Sequence, residues 1–201
     1  MKRLWLLAFL AVFVAITPCR AAETAATAKV KSVLEQAMDI QTKADLQGEA
    51  NRVKRAQLIR KLIADNFSET DMAREVLKDH WEKLSAKQRS EFTGLFAGLF
   101  QDSYTRMVLN FLERESIEYG GESDGANGVW VRTTIMRANE HIPVRYLVSR
   151  GGKPSIQDVE IDGVSILDNY RTTFSRVIRT DSFEGLMKKM RTQKQAVGDG
   201  A

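Results

Sequence analysis

Between Ser155 and Ile178 a strand is joined to a helix across a single glycine, and this junction constrains the fold more than any other stretch of the chain. Val159 and Ile161 alternate with Asp158, Glu160 and Asp162, the two-residue period of a strand with one face buried and the other wet. After Gly163 the apolar positions change to Leu167, Tyr170, Phe174, Val177 and Ile178, a helical spacing, with Ser165 and Asp168 placed as an N-cap and its N3 partner. So short a connection folds the helix back over the end of the sheet. The apolar face of the sheet and the apolar stripe of the helix must then share one interior.

The chain before this junction supplies partners for both. Val30, Val33, Leu34, Ala37 and Met38 form the stripe of an amphipathic helix. Beyond Gly48 a second helix is expected, with Val53, Ala56, Ile59, Leu62 and Ile63 inward and a cationic cluster of Arg52, Lys54, Arg55, Arg60 and Lys61 outward. Ser68 and Asp71 cap a short helix that carries Met72 and ends near Lys78. Ser85-Ala86-Lys87-Gln88 reads as a capping box opening the longest helix, whose stripe runs through Phe92, Phe96, Leu99, Phe100, Tyr104 and Val108. Four strands follow. Ile117 and Tyr119 mark the first, Val129, Val131 and Ile135 the second, and Ile142, Val144, Tyr146 and Val148 the third. Turns at Asp124–Gly128, Asn139-Glu140 and Gly151-Gly152 are short enough to make the four an antiparallel meander. A final helix starts at Asp181-Ser182-Phe183-Glu184, with Leu186, Met187 and Met190 inward and a polar tail from Gln195 to Ala201. The fold class expected is α+β, with helices wrapped around one face of a curved four-stranded antiparallel sheet.

At the other end, Lys2 and Arg3 precede an apolar run from Leu4 to Ile16, followed by Thr17-Pro18-Cys19-Arg20-Ala21, the pattern of a secretory signal cleaved after Ala21. The run is too short for a membrane anchor, and Pro18 and Arg20 suit acylation at Cys19 poorly. This divides the chain into a signal peptide at 1–21, one domain at 22–194 and a tail at 195–201. Losing Lys2, Arg3 and Arg20 lowers the formal charge from +4 to +1, so no basic excess points to nucleic acid. Cys19 is the only cysteine, and with it go disulfides, thiolate nucleophiles and cysteine-held metals. Export without disulfides suggests a periplasm.

Catalytic groupings are scarce. His80 and His141 are the only histidines, and neither has a second ligand at helical spacing, so no metal site is expected. Ser165 lacks the G-x-S-x-G surroundings of a nucleophile and is accounted for as a cap. Asp158, Glu160 and Asp162 are read as a solvated strand face. The cationic helix face is read first as solvated surface and second as a docking face for acidic partners or phosphate headgroups.

Asp158-Val159, Gly163-Val164-Ser165-Ile166, Asn169-Tyr170-Arg171 and Phe174 resemble the signature of the MlaC family, periplasmic phospholipid-binding proteins also described as toluene-tolerance auxiliary components of ABC transporters. Asp71-Met72, Trp81, Gln88-Arg89, Phe92, Phe96, Tyr104 and Tyr146 match in the same order upstream. Two departures are Pro154-Ser155-Ile156, where a tryptophan is common, and Lys78, where a glycine is common. On the residues alone, the aromatic stripe reads as a filled core. The resemblance implies instead an apolar cavity between sheet and helices that holds phospholipid acyl chains as cargo, with no cofactor and no catalysis. The lining it implies is Met72, Phe92, Phe96, Leu99, Phe100, Tyr104 and Val108 from the earlier helices. Val131, Ile135, Val144, Tyr146, Val148, Val159 and Ile161 would come from the strands, and Leu167, Tyr170 and Phe174 from the following helix. It also implies a monomeric carrier between an inner-membrane ABC transporter complex and an outer-membrane lipoprotein and porin complex, maintaining outer-membrane lipid asymmetry. A hopanoid or other apolar ligand, or a non-catalytic interaction module, are the alternatives.

Overall fold

The computed structural model describes residues 24–112 and 115–198. The expected signal peptide and its cleavage site lie outside them. Among the described residues, five α-helices and five strands follow the order α1 (Ala25–Thr42), α2 (Arg52–Asn66), α3 (Glu69–Leu77), α4 (Ala86–Phe111), β1 (Ser116–Asp124), β2 (Gly128–Arg137), β3 (Glu140–Ser149), β4 (Ile156–Ile161), β5 (Val164–Ser165) and α5 (Ile166–Gly198). The strands form one antiparallel sheet in sequential order. The expected α+β meander is therefore present, with one strand more than the alternation indicated. Asp162 (φ 49°) and Gly163 (φ 79°) both turn left-handed, which closes a two-residue hairpin and brings Val164 opposite Ile161. The chain thus enters α5 from a short fifth strand, not directly from a glycine turn.

Both ends of β4's outer edge are covered. β5 pairs with its C-terminal end, while Phe67 bridges to Ile156 and the Ser68 amide donates to the Ile156 carbonyl at 2.9 Å. Backbone groups that would otherwise template a foreign strand are thereby satisfied.

The capping box forms as read: the Gln88 amide donates to Ser85 Oγ at 3.3 Å, and the Ser85 amide donates to Gln88 Oε1 at 2.9 Å. Other local expectations are revised. Ser68 sits at the N-cap of α3, but its hydroxyl pairs with Ser155 and leaves the helix uncapped by a side chain. Val53, placed inward by spacing, is exposed, because it lies in the first turn of α2, before the helix reaches the core. The two C-terminal helices form one run broken at Ser182 (φ 72°), whose Oγ accepts from the Gly185 amide at 3.3 Å. That run continues to Gly198, so most of the expected polar tail is helical.

Lys78 ends α3 with φ 44° and ψ −119°, a conformation that suits glycine. The Cβ strain there is of the order of 1–3 kcal/mol, against roughly 0.5–1 kcal/mol of extra unfolded-chain entropy for glycine. Lys78→Gly is therefore expected to raise stability by about 1 kcal/mol in denaturant titration. A variant less stable than wild type would show that the Lys78 side chain contributes more than its backbone costs.

The core lies between the inner face of the sheet and the helices. Phe92, Phe96 and Phe100 project from α4 and are fully buried. Phe92 stacks on Phe96 at 6.0 Å and meets Phe174 edge-on at 5.9 Å; Phe96 likewise meets Tyr170 at 5.4 Å. This aromatic column fastens α4 to α5. Its rings fill the space between the two helices.

Candidate functional site

An apolar cavity of about 290 Å³ opens beyond the end of the aromatic column, between the sheet and α1, α2 and α4. From α1 come Val33, Leu34 and Ala37; from α2, Ile59, Leu62 and Ile63; from the second half of α4, Tyr104, Met107, Val108 and Phe111. The sheet contributes Ile135, Ile142, Val144, Tyr146, Ile156, Val159 and Ile161. The inward alternation of β3 is what puts Ile142, Val144 and Tyr146 on one wall.

α1 crosses this cavity as a strap tied at both ends. At its start Thr27 donates from Oγ1 (2.6 Å) and from its amide (3.1 Å) to Glu122 Oε1 of β1. At its end Gln41 Nε2, nearly buried, donates to the Val108 and Leu112 carbonyls at 3.0 and 2.9 Å, giving the C-cap carbonyl of α4 a partner and adding a second donor to the Val108 carbonyl, which already takes the Leu112 amide. Between the ties, only apolar side chains of α1 face the cavity.

The walls are nearly free of charge. Burial pushes the phenol of Tyr146 well above its ordinary range, with the Tyr119 phenol adding to the rise. Tyr104 is raised likewise, chiefly by burial and further by Tyr170, Asp158 and Tyr146, so both phenols stay neutral. Among the described residues that bound the cavity, Arg137, at the end of β2, is the one that is charged.

Of the lining inferred from the sequence, Tyr104, Val108, Ile135, Val144, Tyr146, Val159 and Ile161 bound this cavity. Phe92, Phe96, Phe100, Tyr170 and Phe174 stand instead in the aromatic column, where ring-on-ring packing leaves no hollow. Leu99, Val131 and Val148 are buried in the same core away from the cavity. Met72 and Leu167 face a second hollow outside the sheet. The α1 and α2 walls were visible only as amphipathic stripes, since nothing in a stripe names the surface it will meet.

That second hollow is larger, about 910 Å³, but of different character. Asp71, Arg74, Glu75, Asp168 and Arg171 line it together with Trp130 and Leu147. Its cations are already paired: Arg171 with Glu75 at 2.7 Å and with Asp168, Arg74 with Glu82 at 3.1 Å, and Lys78 with Glu75 at 3.6 Å. It is a charge-lined cleft, in which an acyl chain would have to strip water from carboxylates and guanidinium groups.

Beside that cleft Asp158 departs from its expected place on a solvated face. A bulge between Leu147 and Val148 shifts the register, and the start of α5 covers the carboxyl, which is 6 % exposed. Ser165 Oγ donates to it at 2.6 Å, the Val159 amide at 2.8 Å and the Leu167 amide at 3.2 Å. Ser165 thus caps α5 through the Asp168 amide at 3.1 Å while bonding the carboxyl behind it. Glu160 is half-buried and takes Arg145 Nε at 2.9 Å, and the Arg145 guanidinium lies 4.8 Å over Trp130. The cationic face of α2 is likewise engaged: Arg60 with Asp102, Lys61 with Asp65 at 2.7 Å, Arg52 with Glu49 at 3.4 Å, and Arg55 with the Gly48 carbonyl at 2.9 Å. Among the described residues no group of histidine, cysteine or carboxylate side chains could hold a metal ion, and no helix is long and apolar enough to cross a membrane.

Helices closing an apolar cavity over a curved antiparallel meander define an α+β domain built around a hydrophobic chamber. A model of the MlaC family, described as MlaC protein, matches residues 31–192. The chain belongs to that family. Among solved structures, it is similar to a phospholipid-binding protein from Ralstonia solanacearum determined in complex with a phospholipid. The two share 21 % identity with a TM-score of 0.74, over 86 % of this chain and 98 % of the other. No curated protein sequence matches the chain.

Proposed function

We propose that this protein is a non-catalytic periplasmic carrier that holds the acyl chains of a phospholipid in the cavity beneath α1 and shuttles the lipid between membrane complexes. The observation that carries the proposal is an apolar chamber with a single charged residue among the described residues of its wall, in a chain of the MlaC family. The phospholipid held by the Ralstonia protein of the same fold supports the choice of ligand. The inner-membrane ABC transporter complex, the outer-membrane lipoprotein and porin complex, the periplasmic location and the upkeep of outer-membrane lipid asymmetry rest on the family and on the expected signal peptide.

Each methylene kept from water is worth about 0.8 kcal/mol, so two exposed tails would cost roughly 20 kcal/mol or more. An apolar chamber offsets most of that and makes the protein a solvent for tails comparable to the membrane. Transfer is then nearly balanced, and direction comes from the partners. At about 290 Å³ the chamber stands at the foot of the usual ligand-pocket range of about 300–1,000 Å³. A two-tailed lipid therefore needs α1 and α2 to move away from the sheet, and the apolar middle of α1 lets it do so without breaking hydrogen bonds across the cavity.

Organic extraction of the purified mature protein, followed by mass spectrometry, should recover phospholipid close to one per chain. Protein that carries no lipid from cells and takes none from liposomes would overturn the proposal, and recovery of a polycyclic lipid in its place would change the cargo.

A further inference from the structure

We propose that Arg137 anchors the phosphodiester of the bound lipid at the mouth of the cavity, an inference that rests on the carrier function proposed above. Arg137 stands where the wall meets solvent. Its neighbour Phe111, at the end of α4, bounds the cavity yet is 57 % exposed, which marks the rim. The guanidinium carbon lies 5.8 Å from the centre of the Phe111 ring, and Nη2 donates to the Phe111 carbonyl oxygen.

Among the described residues, the rest of the guanidinium is ion-paired with Glu115 and Glu140 but makes no further hydrogen bond. Nε is buried with no hydrogen bond; Glu115 Oε1 is 3.3 Å from it but out of line. Nη1 has Glu140 Oε2 at 3.6 Å, too long for a hydrogen bond, and the Glu140 side chain is 61 % exposed. A guanidinium has five N–H donors in a rigid fork matched to carboxylate and phosphate oxygens. Here most of that fork is held at the edge of an apolar chamber by packing on Phe111 and by one bond to the end of α4. A buried, unsatisfied donor is expensive unless a ligand completes it.

A glycerophospholipid fits both halves of this arrangement. With its tails against Ile135, Ile142 and Val108, its glycerol reaches the rim and its singly charged phosphodiester comes beside Arg137. There the phosphate outcompetes Glu140, whose long, exposed contact is weak. The group beyond the phosphate stays in water, so the anchor selects for a phosphodiester and not for a particular headgroup alcohol.

Arg137 also caps α4, so the test must separate anchoring from a structural role. Delipidated full-length mature protein is incubated with detergent-dispersed phosphatidylglycerol or with diacylglycerol of identical acyl chains, and the lipid retained through gel filtration is counted. Wild type is expected to retain phosphatidylglycerol over diacylglycerol by roughly tenfold, the effect of one charge-assisted hydrogen bond. Arg137→Gln should lose that preference while its diacylglycerol retention stays unchanged. Glu140→Gln, a change at an exposed position that spares the α4 cap, should strengthen the preference and keeps the test open if Arg137→Gln does not fold. Inorganic phosphate alone should displace neither lipid, since it brings no tails. Equal retention of the two lipids by wild type, or an equal loss of both in Arg137→Gln, overturns the anchor and leaves the carrier function standing. Displacement of phosphatidylglycerol by inorganic phosphate makes the site one for free anions and also overturns it. Wild type that takes up neither lipid overturns the carrier function itself.

Discussion

Val144→Trp should leave lipid-free protein melting close to lipid-free wild type while cutting co-purifying phospholipid several-fold. Val144 stands mid-strand in β3, between Thr133 of β2 and Ile161 of β4, only 3 % exposed, with its side chain on the cavity wall. In a filled core, an added indole would force off-rotamer side chains and backbone shifts costing about 1–3 kcal/mol or more. Here the ring has the cavity to enter, and the volume it takes is the volume that acyl chains would use. The structure also supplies the control. Val148 lies on the same face of the same strand, fully buried but away from the cavity, so Val148→Trp should show the full overpacking penalty of about 1–3 kcal/mol. Both comparisons require delipidated protein, because bound lipid raises apparent stability by mass action. If Val144→Trp unfolds as readily as Val148→Trp and keeps its lipid, the cavity is not where the tails lie.

The contrast between these two valines shows where sequence reading runs out. Strict alternation in β3 places both on one buried face, and that much is correct. Whether the opposing surface is ring or void depends on residues far away in the chain. Opposite one part of the sheet, α4 and α5 interlock Phe92, Phe96, Tyr170 and Phe174. Opposite another, α1 and α2 present the shorter Val33, Ala37, Leu62 and Ile63, which do not fill the gap. The aromatic richness of α4 suggested the chamber's location, but aromatic rings that can stack on one another close space. The chamber begins where they stop, at Tyr104.

Local signals were legible because their physics is local. The capping box at Ser85 and Gln88, the strand turns and the break at Ser182 depend on residues within four positions of one another. β5 escaped because two residues show no period, and its evidence lay in the left-handed pair Asp162-Gly163. Lys78 is the reverse case. The position where this family commonly has glycine proves to have a glycine-like backbone, so a departure in sequence became a strained dihedral in structure.

Asp158 is the residue whose reading changes most, and replacing it should have a large effect on stability. Alternation assigned it to water, yet it is buried and receives Ser165 Oγ and the amides of Val159 and Leu167. The Leu167 amide belongs to the first turn of α5, so the carboxyl ties the last long strand to the helix and sits at the favourable end of its dipole. Asp158→Ala would leave buried donors without acceptors and should destabilise the protein by at least about 2 kcal/mol. Burial raises the Asp158 pKa above its ordinary 3.8 and the Asp168 charge adds to the rise, while the three hydrogen bonds pull the other way without cancelling it. Between the unfolded and folded pKa values the native state therefore holds a proton that the unfolded chain has released. The resulting stability is fully present below the unfolded value and is lost as pH rises through the folded one, the reverse of an ordinary salt-bridged aspartate. Asp158→Asn keeps an acceptor but cannot titrate. Its stability relative to wild type should therefore rise with pH across the acid range and level off above the folded pKa. Denaturant titrations of wild type, Asp158→Asn and Asp158→Ala at a series of pH values from about 4 to about 8 would measure both effects. A wild-type-to-Asn difference that does not vary with pH would show that burial does not control this carboxyl. An alanine variant within about 0.5 kcal/mol of wild type would show that the three donors find water when the carboxyl is gone.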